Sequence, residues 1–172
     1  MHSPHAAGYR SCAQNRGPRF LCDASKMPPR DYETWKYIAP IQRSAWKSKA
    51  FEFGTWGGEV RHEFGPRPGD VVTSEHWGSS GFANTDLDLQ LKKHGIEKLI
   101  VIGLIAHTCI EATVRYAAEL GYEVTMVKDA TASYSADHMH AALDVNIPNY
   151  ASAVVTTDEI VAAIVLETSA RS

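Results

Sequence analysis

From about residue 70 onward, short apolar runs alternate with amphipathic ones. Asp70-Val-Val-Thr73 predicts a brief strand. Asn84 or Thr85 can cap a helix that runs through Leu87, Leu91 and Lys93 to Gly95. The Ile-, Leu- and Val-rich run at 99–104 predicts a buried strand. The run at 110–120, closed by Gly121, predicts a helix. A strand at 122–127, a helix at 136–143 and a strand at 153–155 follow. Thr156-Thr-Asp-Glu159 forms a capping box for a last helix through Ile160, Ala163 and Ile164. Strands alternating with helices predict a mostly parallel sheet in an αβα arrangement. Ligands of such sheets bind beyond the carboxyl ends of the strands.

The first 70 residues lack this rhythm. Pro, Gly, Arg, Ser and Asn crowd positions 1–18 and predict an irregular or disordered stretch. Arg19-Phe-Leu-Cys22 can form one weak strand. The segment from Asp31 to Trp56 reads as irregular with some helix, and carries Trp35, Tyr37, Trp46, Phe51, Phe53 and Trp56. Aromatics this dense predict packing, within the chain or across an oligomer interface. The expected organisation is an irregular segment at 1–30, one α/β domain at 31–166 and a tail at 167–172.

Composition narrows the function classes. A chain of 172 residues with 44% hydrophobic and 22% charged residues fits one globular domain. A net charge of -3 offers no basic surface for nucleic acid or an anionic membrane. No apolar run approaches the ~20 residues that span a bilayer, and the first ten residues do not resemble a secretory leader. Cys12, Cys22 and Cys109 do not make a disulfide scaffold, which predicts a cytoplasmic protein.

Cys109 is the residue most suited to chemistry. It follows the 99–104 strand and opens a helix, where backbone N–H groups and the helix dipole favour a thiolate. Position alone leaves two readings, a nucleophile or a small apolar core residue. His107, two residues earlier, can activate a thiol or simply line a pocket. The stretch 75–88 holds Glu75, His76, Trp77, Ser80 and Phe82 among glycines, which suits a pocket wall as well as an ordinary loop. Cys109 and Arg115 fit a Cys-x5-Arg phosphatase spacing, but the five residues between hold no glycine, and a helix turns Arg115 away from the thiol. His138 and His140 diverge on a helix and make a poor metal pair. No metal spacing and no nucleotide-binding glycine motif is present, so no cofactor is implied.

Three blocks then carry a resemblance: Ser80-Gly-Phe-Ala-Asn-Thr-Asp-Leu-Asp-Leu-Gln-Leu91, Val101-Ile-Gly-Leu-Ile-Ala-His-Thr-Cys109, and Glu119-Leu-Gly-Tyr-Glu-Val-Thr-Met-Val-Lys-Asp-Ala130. In this order they closely resemble the isochorismatase-like cysteine hydrolases, which include isochorismatases, nicotinamidases and N-carbamoylsarcosine amidases. The likeness runs from about Asp31 to Ile164. It implies a parallel six-stranded sheet flanked by helices, a small-molecule substrate, and a homodimer or homotetramer. It also implies a nucleophile at Cys109 that cleaves a C–N bond through a thioester. Backbone N–H groups of Ile105, Ala106 and Cys109 would form the oxyanion hole. The family's cis peptide carries over to Ile105–Ala106.

The chain departs from the family's Asp-Lys-Cys triad. Where the lysine is expected, after the strand at 70–73, stand Ser74, Glu75 and His76. Glu75 is the carboxylate expected to orient the thiol or act as base, with His76, Trp77, Ser80, Phe82 and His107 lining the pocket. Asp23 lies too close to Cys109 in sequence for the family aspartate, so the first, central strand is expected to be missing and the N-terminus truncated or misassigned. Two functional readings follow: a hydrolase of small amides, or an impaired member that serves as a ligand-binding or oligomeric module.

Overall fold

A computed structural model describes residues 10–12, 19–24, 26–27, 30 and 32–170. Most of the expected 1–30 segment, Asp31 and the last two residues of the tail lie outside these. Among the described residues six strands form one sheet: β1 (Arg10–Cys12), β2 (Phe20–Leu21), β3 (Val71–Val72), β4 (Lys98–Leu104), β5 (Glu123–Ala132) and β6 (Ala153–Val155). Their order is β3-β2-β1-β4-β5-β6. The pairs β2–β3, β4–β5 and β5–β6 are parallel. β1 runs antiparallel to both neighbours, matching Ser11 with Phe20 and with Val101. A short reversed strand thus occupies the centre of the sheet.

Among the described residues five helices join the strands: α1 (Pro40–Lys47), α2 (Leu87–Lys93), α3 (Glu111–Glu119), α4 (Ala136–His140) and α5 (Thr157–Ala170). Leu87 and Leu91 of α2, and Val114 and Ala117 of α3, join Leu99, Val101, Val124 and Met126 of the central strands in one buried core. Four apolar residues at helical spacing meet four at strand spacing, which is how the 3.6- and 2-residue periods read along the chain become a packed interface. Burying each such side chain contributes roughly 1.5–3 kcal/mol.

Two details position the functional edge. The β4–β5 register shifts between Val101 and Gly103, where Gly103 takes φ +125. A side chain at that angle would be strained, so glycine permits the irregularity. β5 bulges opposite it, and there Asp129 accepts hydrogen bonds from the Thr157 N–H (2.8 Å) and hydroxyl (2.9 Å) at the start of α5. The capping box also forms, with the Thr156 N–H on Glu159 at 2.7 Å. Farther along the sheet, Arg19 Nε donates to Asp70 at 2.9 Å, fastening the segment before β2 to the one before β3. That ion pair holds the Asp70 carboxyl below its usual range.

The chain from 26 to 64 forms a second, smaller cluster. Met27, Tyr32 and Ile38 are buried against Ala45, Trp46 and Phe51. Met27 exchanges backbone hydrogen bonds with Phe51 and Phe53. Not every aromatic of this stretch is used: Phe53 and Trp56 stay 67% and 71% exposed.

Candidate active site

Cys109 lies in a wide helical turn, Ala106–Ile110, between β4 and α3. The Ile110 N–H reaches back five residues to the Ile105 carbonyl at 3.2 Å. Helical geometry therefore begins at Ala106, three residues before the thiol, whereas the sequence predicted the turn at Cys109 itself. Such wide turns admit an extra residue and re-aim the side chains they carry. The cis peptide lies at Leu104–Ile105, one bond earlier than expected. Ile105 is extended (φ -104, ψ 148) and caps the turn, so Ala106 already belongs to the helix.

Cys109 is 6% exposed and lines an open cavity of about 410 Å³, solvent at the mouth included. His76 and Trp77 share that cavity, as do Met27, Ile41 and Phe51 from the irregular N-terminal segment. His76 is 2% exposed. Its N–H donates to the Asp23 carbonyl at 3.0 Å, which extends the β2–β3 pairing to Ala24 and His76. Its Nδ1 lies 2.7 Å from the Gly78 carbonyl. Burial lowers the His76 pKa, and the Gly78 carbonyl and the Glu75 carboxylate offset part of that. Trp77 packs against Trp35 with ring centroids 4.6 Å apart, and its carbonyl accepts from Gln42 of α1 at 2.7 Å.

The other predicted residues stand elsewhere. Glu75 is exposed, and its carboxylate accepts from the Lys26 N–H at 3.1 Å. The chain after β3 buries Thr73 and His76 and leaves Ser74 and Glu75 exposed. Ser80 and Phe82 are buried away from the cavity. The Ser80 hydroxyl accepts from the Phe82 N–H at 3.1 Å, and the Phe82 ring packs in the main core beside Tyr122. His107 faces the end of β5: Nδ1 meets the Ser133 hydroxyl, and the ring stacks on His138 at 4.2 Å. Burial, then the neighbouring His138, lowers the His107 pKa, while Glu111 raises it. Arg115 is engaged by Glu111 at 2.6 Å and the Tyr150 hydroxyl at 2.8 Å, which leaves the phosphatase reading without its arginine.

Thr113 was not singled out from the sequence. Its hydroxyl donates to the Cys109 carbonyl at 2.7 Å and accepts from the Gly81 N–H at 3.0 Å. It joins the loop that carries His76 to the turn that carries Cys109. A threonine one helical turn after a cysteine is a common pattern, so only the fold reveals the link. Among the described residues no group of three His, Cys, Asp or Glu side chains is placed to hold a metal ion, and no helix is long and apolar enough to cross a membrane.

Comparison with known proteins agrees with this architecture. An isochorismatase domain matches residues 23–159. The ureidoacrylate amidohydrolase RutB of Rhizobium rhizogenes is 30% identical over 123 residues, 72% of this chain and 50% of that protein. The isochorismatase family protein YddQ of Bacillus subtilis is 34% identical over 117 residues, 63% of this chain and 64% of that one. The chain thus spans only about half to two thirds of these relatives' length. Among crystal structures, an isochorismatase-like hydrolase from Alkaliphilus metalliredigens superposes with a TM-score of 0.60 at 31% identity, covering 64% of this chain and 60% of that one. N-carbamoylsarcosine amidase from Thermoplasma acidophilum does so with a TM-score of 0.55 at 30% identity, covering 70% and 66%. With a family domain spanning most of its length and relatives of the same fold, the chain belongs to the isochorismatase family.

Proposed function

We propose that this protein hydrolyses a small amide through a thioester on Cys109. The observation that carries the reading is a cysteine placed on a helical first turn, at the carboxyl end of a central strand, on the wall of a mostly apolar cavity that opens to solvent. Two relatives named for amide cleavage, a ureidoacrylate amidohydrolase and an N-carbamoylsarcosine amidase, support it. The sulfur attacks the carbonyl carbon, and the C–N bond breaks to release the amine. Water then cleaves the thioester. N–H groups of the 105–109 turn hold the oxyanion.

The lining favours a neutral acyl group. Met27, Ile41, Ala45 and Phe51 offer apolar surface, and no Lys or Arg lines the cavity among the described residues. A carboxylate-bearing substrate would leave its charge desolvated there. Exposed Phe53 and Trp56 suit a homodimer or homotetramer interface, and a cytoplasmic location fits a chain whose three cysteines make no disulfide scaffold. Light scattering that finds only monomer argues against the assembly.

The test is a panel of short neutral carboxamides and matched ureido acids, read by amine or ammonia release and by mass spectrometry after acid quench. The expected result is turnover of neutral amides with an acyl adduct on the Cys109 peptide, absent in Cys109→Ser. Turnover undiminished in Cys109→Ser overturns the mechanism, and preference for the ureido acids overturns the substrate class.

A further inference from the structure

We propose that His76 is the base and acid that serves Cys109, a role the sequence pattern assigned to Glu75. The inference rests on the amide-hydrolysis reading above. His76 and Cys109 are the two ionisable side chains that line the cavity among the described residues. Glu75 is turned to the surface, and His107 is turned to Ser133 and His138.

The geometry also fixes which ring nitrogen is the base. A carbonyl can only accept, so the 2.7 Å contact to Gly78 puts the proton on Nδ1. In the neutral ring the lone pair then sits on Nε2. Burial supports the neutral form at rest. The charged group beside the ring is Glu75, next in the chain, and the backbone of Asp23, just after β2, accepts from the His76 backbone N–H. Lys26, beyond Asp23, is paired with Glu59.

The proton accounting closes. Nε2 takes the thiol proton as sulfur bonds to the carbonyl carbon and the π pair moves to oxygen. The tetrahedral centre collapses, the C–N bond breaks, and Nε2–H passes its proton to the departing nitrogen. Nε2 next takes a proton from the attacking water. The C–S bond breaks, the sulfur recovers that proton, and the acid leaves. The sum is amide plus water giving acid plus amine.

The test needs no substrate. Iodoacetamide labelling of Cys109, followed on its own peptide, is measured against pH in the wild type and in His76→Asn. Asparagine keeps a donor near the Gly78 carbonyl and removes Nε2. Wild-type labelling should already rise below about pH 6.5, as His76 loses its proton and the neutral ring becomes able to take the thiol proton during attack. The variant should label only toward the free-thiol value of about 8.5, a loss of about 30-fold at pH 7. Superimposable profiles, or a wild type that labels only near 8.5, overturn the proposal. Should His76→Asn not fold, the imidazole titration of His76 by NMR in the wild type and in Cys109→Ala decides it. Two steps becoming one supports the pair, and unchanged curves overturn it. Coupled labelling without turnover of any amide would instead count against the amide reading alone.

Discussion

Cys109 stands on a wall made of β4, a wide helical turn and α3, all continuous with the main core. The wall it faces is made of Met27, α1 and Phe51, held by a cluster of three buried residues and their half-buried neighbours. The first wall is regular and well buried. The second is irregular and has few buried contacts. Such an arrangement separates tasks: the rigid side fixes the reacting atom, and the loose side shapes what reaches it.

Changes at the two walls should therefore fail differently. The largest effect is on chemistry: Cys109→Ala should lower amide turnover by on the order of 10³-fold or more while the melting curve stays close to wild type. A collapse of the fold instead would make the cysteine a packing residue. Next comes the core. Leu91→Ala, at a fully buried site, should cost about 2–5 kcal/mol in urea unfolding, and Ala45→Gly on the opposite wall only about 1 kcal/mol. Equal costs would erase the contrast. Thr113→Val keeps the shape but strips the hydroxyl between Gly81 and Cys109, and should cost about 1–3 kcal/mol. Turnover should fall with it, because the loop that carries His76 loses its tie to the turn that carries Cys109.

Acid titration probes the same boundary. The folded-state pKa values of His76 and His107 are lowered from the usual 6.5. Below pH 6.5 the unfolded chain therefore binds protons before the folded one does, and stability falls as pH drops toward the folded values. Above 6.5 these groups are neutral in both states and the effect vanishes. Thermal melts between pH 7.5 and 5 should show the fall, and His76→Asn should make it shallower. The smallest effect is at the surface: Glu75→Gln should shift stability by no more than about 0.5 kcal/mol and disturb Cys109 labelling less than His76→Asn does.

The regular half of the molecule was legible from its periodicity. The strands at 99–104 and 153–155, the helix ending at Gly121 and the capping box at Thr156 all stand within a residue or two of their expected places. β5 runs on to Ala132, beyond the expected 127, because its bulge has no apolar signature. The reversed β1 was not foreseen, since three residues carry too little pattern to set a direction. At the candidate site, Cys109, His76 and Trp77 line one cavity. Glu75, Ser80, Phe82 and His107 do not join them, because a loop sequence names its residues without saying which way each one turns. The opposite wall was invisible for a related reason: Ile41 and Phe51 are ordinary apolar residues until folding brings them to the thiol.

The threonine hydroxyl between Gly81 and Cys109 has a consequence for how this pocket can change over time. Two hydrogen bonds, added to the packing of Ile110 and Val114 in the main core, set how the Gly81 loop sits on the Cys109 turn, and residues 41–51 take no part in them. Substitutions in α1 and at Phe51 should therefore reshape the entrance more than they move Cys109. On the proposed amide hydrolysis, such an arrangement would let the range of substrates change while the cysteine keeps its place.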